Sequence, residues 1–216
     1  MKITHIVWDW NGTLLDDIDL CIHVINSMLI EENKKQINKD TYRKKFCFPI
    51  TQYYTNVGFD ISGNNFERLS KKYIERYQPE SKNCLLADNA QDVLQSIYQL
   101  GIKQIVLSAS RKDLLKDQVD NADIIKYFNE LLGLNTIQAK SKKEIGLEWK
   151  NKNGLSGDEI VVIGDTYHDY ETAQFLGAHF LYYTKGHQEV CNEEIKEVSR
   201  IHNLKDVLHY LEKNSY

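Results

Sequence analysis

Ile6-Val7-Trp8-Asp9-Trp10-Asn11-Gly12-Thr13-Leu14-Leu15-Asp16-Asp17 is the stretch that decides the fold. An apolar run suited to a buried strand ends abruptly in an acid, an amide, a glycine and a hydroxyl. Open α/β folds place their chemistry at the carboxyl ends of buried parallel strands, in the turn that follows. Asp9 therefore stands where a carboxylate acts as a nucleophile, binds a metal or caps a helix.

The same pattern recurs downstream. Ile160 to Ile163 is continuously apolar and runs into Gly164-Asp165, Gln104 to Leu107 follows Gly101 and runs into Ser108, and Phe180 to Tyr183 forms a last strand. Near-continuous apolar runs are what parallel strands need when both faces are covered. Between them Gln91 to Leu100, Lys142 to Trp149 and Asp169 to Leu176 read as helices. Strands alternating with helices of this size imply βαβ units, hence an α/β fold built on a parallel sheet. The region from Asp19 to Leu86 lacks a buried strand. Leu20 to Ile30 reads as an apolar helix, and Phe66, Leu69, Tyr73, Ile74 and Tyr77 form a helical stripe that Pro79 is expected to end. This is a helical insertion, which divides the chain into a core of residues 1–18 and 87–216 and an inserted unit of residues 19–86. Ile201, Leu204, Val207, Leu208 and Leu211 suggest a terminal amphipathic helix on the core.

A chain of 216 residues with 42% hydrophobic content suffices for one core plus such an insertion. A formal net charge of -4 gives no global reason to expect nucleic acid or membrane partners, and no stretch reaches bilayer length. The apolar run at the N-terminus is broken by His5 and Asp9, unlike a cleavable signal, so the expected location is the cytoplasm. Cys21, Cys47, Cys84 and Cys191 are scattered, as free thiols in a reducing compartment would be. Nothing in the sequence sets the oligomeric state.

The chemistry-bearing residues sit at the strand ends. A carboxylate attacking phosphorus forms an aspartyl-phosphate and splits one hard displacement into two easier ones. A negative nucleophile approaching a phosphate dianion needs a cation, and Mg2+ held by carboxylates is the usual choice. Asp165 and Asp169 supply further acids after the Ile160–Ile163 strand. Gly12 lets the backbone approach a phosphate, and Thr13 supports the turn. Ser108, with Ala109 beside it, ends another strand as a phosphate-binding candidate, and Lys142 or Lys143 would neutralise charge next to it. Singly, each has a plainer reading: a helix cap for the acids and Ser108, a solvated helix residue for the lysine. His168 reads as a surface residue or local hydrogen-bond partner. The glycosylation triplet Asn11-Gly12-Thr13 has no meaning without secretion.

Taken in order, the pieces resemble the haloacid dehalogenase-like hydrolases that carry a helical cap, in the phosphoglycolate phosphatase-like branch. The first motif is Asp9-Trp10-Asn11-Gly12-Thr13-Leu14, the second Ser108, the third Lys142 within Ala139-Lys140-Ser141-Lys142-Lys143-Glu144, and the fourth Gly164-Asp165 with Asp169. The resemblance implies a Rossmann-like parallel sheet sandwiched by helices, with a small α-helical cap inserted after the first strand. It implies Asp9 as nucleophile and Mg2+ held by Asp9, the Asn11 carbonyl and Asp165, with Asp169 nearby. Ser108, Ala109, Lys142, Gly12 and Thr13 would bind the phosphoryl group of a small phosphorylated metabolite, over which the cap closes.

Asn11 departs from the family pattern. Family phosphatases carry there an Asp that protonates the leaving oxygen and then activates water. An amide does neither, and loss of such help costs about 10²–10⁴-fold. The implied outcomes are a slow phosphatase or one using good leaving groups such as acyl or aryl phosphates, a substitute acid from His168 or the cap, or a phosphoryl-transfer or C–P-cleaving relative. The last would need a cap lysine such as Lys71 or Lys72. A contrasting outcome is a damped member that binds a phosphorylated ligand or protein without turnover. Asn11→Asp is expected to raise turnover if the site is otherwise intact. Tyr42, Arg43, Lys44, Lys45, Tyr53 and Tyr54 form either a substrate-facing cluster or an ordinary helix surface with packing tyrosines.

Overall fold

The computed structural model of the chain describes residues 2–134, 141–191, 194–195 and 198–214, so Ala139 and Lys140 lie outside the described residues. Three apolar runs form the heart of a six-stranded parallel sheet: β1 (His5–Trp8), β4 (Lys103–Arg111) and β6 (Ile160–Gly164). With β5 (Glu130–Leu134), β7 (His179–Tyr183) and β8 (Ser199–Ile201) the order is β5-β4-β1-β6-β7-β8. Chain progression moves outward from β1 through β4 and β5, then returns to β1's other side with β6. That reversal opens a crevice beyond the carboxyl ends of β1 and β6, the place where open α/β sheets bind ligands. Trp8 pairs with Val106 on one side and Ile163 on the other, so Asp9, Ser108 and Asp165 emerge along one rim.

Strand alternation sorts the apolar residues onto two faces. Ile6, Trp8, Val106, Val161 and Ile163 pack against α5 (Ala90–Gln99), α6 (Lys112–Asn121) and α9 (Asp206–Asn214) through Leu94, Val119 and Leu211. Val7, Ile105, Leu107 and Val162 pack against α7 (Lys142–Lys152) and α8 (Tyr167–Leu176) through Trp149 and Leu176. Both faces are covered, which explains why these strands carry no polar alternation.

The insertion leaves through β2 (Leu15–Asp16) and returns through β3 (Leu85–Leu86), which pair antiparallel as a separate two-stranded ladder. Between them lie α1 (Ile18–Glu31), α2 (Lys39–Lys45), α3 (Ile50–Val57) and α4 (Asn65–Ser81). They share their own core around Ile25, Leu29, Tyr42, Tyr53, Tyr54 and Leu69.

Several sequence expectations are corrected. α4 runs through Pro79 to Ser81, because a proline so close to a helix end forfeits only one interior hydrogen bond. Ile201 belongs to β8, and the last helix begins only at Asp206. Ser108 does not end its strand: β4 continues to Arg111, with a shift of register against β5 after Leu107. The short strands β2, β3, β5 and β8 and the helix α6 carry no pattern read from the sequence. Among the described residues no helix is long and apolar enough to cross a membrane.

Leu94 is fully buried against the sheet, whereas Ile74 on α4 is 44% exposed. Leu94→Ala should lower unfolding free energy by about 2–5 kcal/mol in urea titrations. Ile74→Ala should stay within about 0.5 kcal/mol.

Candidate active site

Asp9 is pinned at the sheet edge by its backbone N–H, which donates to the Ile163 carbonyl at 2.8 Å. Lys142, the first residue of α7, turns inward and donates from Nζ to both Asp9 Oδ1 and Asp169 Oδ1. Two capping boxes set this geometry. Ser141 and Glu144 cap α7, and Thr166 and Asp169 cap α8, so Asp169 Oδ2 accepts from Thr166 N–H at 3.0 Å and Thr166 Oγ1 at 2.7 Å. Asp165, immediately after β6, accepts from Thr13 Oγ1 at 3.1 Å and from the His187 backbone N–H. Asp9, Asp165 and Asp169 each bring an oxygen within 4.8 Å of the others, all buried.

Three carboxylates around one lysine leave an excess of negative charge where water is excluded. Burial raises the Asp9 carboxyl well above its ordinary value, with Asp169 and Asp165 adding to the effect and Lys142 opposing it. Burial also raises Asp165 to about 6, against the pull of His187. Burial would raise Asp169 too, but Lys142 outweighs it and holds that carboxyl below the usual range. Burial opposes the charge on Lys142, and its two aspartate partners overcome this and raise its pKa. Lys143 lies outside the cluster, paired with Glu171 at 3.2 Å, so of the two lysines Lys142 is the one the fold brings in.

Gly12 has φ +74, and a Cβ there would sit 2.4 Å from His187 Cδ2 and 2.5 Å from Asp165 Oδ2. Only glycine fits both the dihedral and the space. Ser108 is buried and its hydroxyl accepts from Ser110 N–H at 3.1 Å, while Ala109 is exposed on the rim.

Asn11 has every polar atom of its side chain engaged. Nδ2 donates to Asp17 Oδ2 and to Tyr77 Oη, each at 2.8 Å, and Oδ1 accepts from Ser110 Oγ at 2.9 Å. Asp17 is 1% exposed. It also accepts from Tyr77 Oη at 2.6 Å, Gly12 N–H at 3.0 Å and His187 Nε2 at 3.1 Å. Burial would raise the Asp17 carboxyl, but His187 and the Tyr77 and Asn11 hydrogen bonds bring it below its ordinary value. Burial would lower His187, yet the Asp17 charge and hydrogen bond raise it to about 9, so the imidazole is protonated at neutral pH.

Asp17, His187, Tyr77, Ser110 and Thr166 were not singled out from the sequence. The available signals were faint: a second acid in Asp16-Asp17, and Gly186-His187 just past a strand. His168 is half-buried with its ring 4.7 Å from that of Phe48, and burial and Lys142 lower its pKa. Tyr42, Tyr53 and Tyr54 are buried in the helical unit, Arg43 donates to the carbonyls of Gly186 and Thr184, and Lys45 to that of Asn56. The tyrosines therefore pack and these two cations tie down backbone. Lys71 pairs with Glu75, and Lys72 with Glu31 of α1.

Similarity to known proteins extends over most of the chain. The haloacid dehalogenase-like hydrolase family profile matches residues 6–183. A phosphoglycolate phosphatase of Rhodobacter capsulatus is 19% identical over 202 residues, covering 92% of each chain. A protein of Caldanaerobacter subterraneus subsp. tengcongensis carrying the pyrophosphatase name PpaX is 25% identical over 182 residues, 82% of this chain and 80% of its own. In three dimensions, a haloacid dehalogenase-like family hydrolase from Streptococcus pneumoniae superposes with a TM-score of 0.81 at 20% identity, covering 96% of this chain and 98% of that one. Because the matched span runs from inside β1 to the end of β7 and takes in both aspartate-bearing strand ends, the chain belongs to the haloacid dehalogenase-like hydrolase family.

Proposed function

We propose that this hydrolase is a Mg2+-dependent phosphatase of small phosphorylated molecules, with Asp9 as nucleophile. The observation that carries the reading is Lys142 bridging Asp9 and Asp169 beside Asp165, a buried anionic cluster at the switch point of the sheet. The donor set fits a hard divalent cation, since it consists of carboxylate oxygens with no sulfur or imidazole. Asp9, Asp165 and the Asn11 main-chain carbonyl would hold Mg2+, with Asp169, both of whose oxygens already serve Lys142 and Thr166, alongside. When bound, Mg2+ would offset the carboxylate charge and that of the incoming phosphate.

An Asp9 oxygen attacks phosphorus, and the bond from phosphorus to the leaving oxygen breaks with its electron pair on that oxygen. Lys142, Ser108 and the Gly12–Thr13 turn hold the phosphoryl oxygens. Water then attacks the aspartyl-phosphate at phosphorus, releasing inorganic phosphate, a proton to solvent and the Asp9 carboxylate. The helical unit, residues 19–86, serves as the cap. Tyr77 of α4 reaching Asn11, and Phe48 lying on His168, support closure over this rim.

Asn11 shapes the substrate class. Its amide supplies no proton, so the best substrates have leaving groups that depart as stable anions: phosphoanhydrides, acyl phosphates or aryl phosphates. The relative bearing a pyrophosphatase name is consistent with a phosphoanhydride. The α4 lysines that a C–P hydrolase would need, Lys71 and Lys72, are engaged with Glu75 and Glu31, which favours the phosphatase reading.

Purified protein should hydrolyse 4-nitrophenyl phosphate with Mg2+ and stop with chelator, and Asp9→Asn should lower the rate by about 10³-fold or more. Equal release by Asp9→Asn would overturn the reading and favour a binding role. Metal binding has its own readout. The raised Asp9 and Asp165 carboxyls bind more protons in the folded state than in the unfolded one between about pH 4 and the Asp165 value of about 6, so their contribution to apo stability falls as pH rises through that window. Mg2+ at a hundredfold excess over its Kd should add about 2.7 kcal/mol, or about 5–10 °C in Tm at pH 7.5. The increment should shrink at pH 5, where protons compete. A Tm indifferent to Mg2+ at both values would remove the metal from the mechanism.

Asn11→Asp changes sign relative to the sequence expectation. A carboxylate there would face Asp17 Oδ2 across the present 2.8 Å contact, and two such groups cannot both ionise. The variant should lose about 1–3 kcal/mol of stability without gaining turnover, as thermal melts and 4-nitrophenyl phosphate assays would show.

A further inference from the structure

Asp17 lies between β2 and α1, where the chain passes from the sheet into the helical unit. Its carboxylate gathers donors from four separate places: Gly12 and Asn11 of the turn after Asp9, Cys21 of α1, Tyr77 of α4, and His187 of the loop after β7. His187 extends the chain of contacts. Its Nδ1 meets Tyr42 Oη of α2 at 2.8 Å, its ring stacks 5.0 Å from that of Phe46, and its backbone N–H donates to Asp165. Arg43, next to Tyr42, donates to the carbonyls of Thr184 and Gly186 in the same loop. Helices α2 and α4 thus grip the turn after Asp9 and the loop after β7, the second of which touches Asp165 through the His187 N–H. There is no slack at the join: a Cβ on Gly186 would lie 2.1 Å from Asp165 Cβ, as one on Gly12 would strike His187.

We propose that Asp17 and His187 are positioning residues that couple seating of the helical unit to the shape of the Asp9–Gly12 turn and the aim of Asp165. Neither group serves the reaction directly. Both oxygens of Asp17 and both ring nitrogens of His187 are consumed by partners inside the network. Nor is the cluster a second metal centre, although Asp17, Cys21 and His187 lie within 4.8 Å of one another. The Cys21 thiol is pushed well up by burial and the Asp17 charge, and the imidazole and carboxylate already satisfy each other. When the helical unit lifts, Tyr77 and Tyr42 leave with it. Asp17 then loses a donor on the Asn11 side and His187 its outer support, so the turn and Asp165 relax together. The reacting geometry is complete only in the closed arrangement, which makes substrate-driven closure part of assembling the site.

The kinetic arm of the test rests on the phosphatase reading, and the exchange arm does not. Asp17→Asn and Tyr77→Phe are compared with the unaltered protein by amide hydrogen exchange and by hydrolysis of 4-nitrophenyl and phenyl phosphate. Both variants should exchange faster in residues 11–15 and 184–190, with α5 unchanged. Asp17→Asn should lose about 10²-fold in kcat through misplacement, equally for the two esters, and Tyr77→Phe less. Unchanged exchange in both segments would overturn the coupling. A loss much larger for phenyl than for 4-nitrophenyl phosphate would make Asp17 a proton donor, overturning the positioning role. If the unaltered protein hydrolyses neither ester, the phosphatase reading fails while exchange still decides the coupling. If Asp17→Asn does not fold, Tyr77→Phe, which removes one hydroxyl, decides alone.

Discussion

Burying like charges at the edge of a parallel sheet is the constraint on which the structure turns. Asp9, Asp165 and Asp169 converge because β1 and β6 are neighbours in register and α8 starts one turn beyond β6. Lys142 is the cation that makes this tolerable, and the fold commits the first residue of α7 to it. Asp169 serves two purposes at once: one oxygen caps α8 through Thr166 and the other receives Lys142. The negative balance that remains would be offset by a further cation in the mechanism we propose.

A second buried carboxylate stands beside the first group with Gly12 between them. Asp17 is neutralised by His187 rather than by lysine, and Asn11 is its hydrogen-bonded neighbour. The amide at position 11 is therefore half of a matched pair. An acid there would duplicate a charge that the network already holds, whereas an amide supplies the N–H groups that Asp17 and Tyr77 accept. Asp165, touched by Thr13 and by the backbone of His187, links the two clusters.

What the sequence displayed was local. Ile160 to Ile163 declared a buried strand because all four side chains are inside, and Asp165 followed at once. The helical insertion announced itself through the Phe66–Tyr77 stripe. β8 escaped notice because it has three residues and only Ile201 is buried, and β5 because its burial is partial along most of its length. Asp17 and His187 were invisible for a different reason. They are 170 positions apart, and neither carries a local pattern that says which partner it will meet. For Tyr42, Tyr53 and Tyr54 the sequence leaves a binding surface and ordinary packing both open, and the fold takes the packing alternative by turning the rings inward.

The ladder of β2 and β3 joins the helical unit to the sheet domain through two crossings that lie side by side, Leu15 opposite Leu86 and Asp16 opposite Leu85. A body held by a single strand is free to twist and translate. One held by two adjacent strands keeps chiefly a swing about the line joining them. Asp17 follows β2 directly, so it sits next to the axis of that swing. A residue in that position would stay with the pivot while Tyr77 of α4 rode the arm, so a swing would be felt at Asp17 as loss of the Tyr77 hydroxyl.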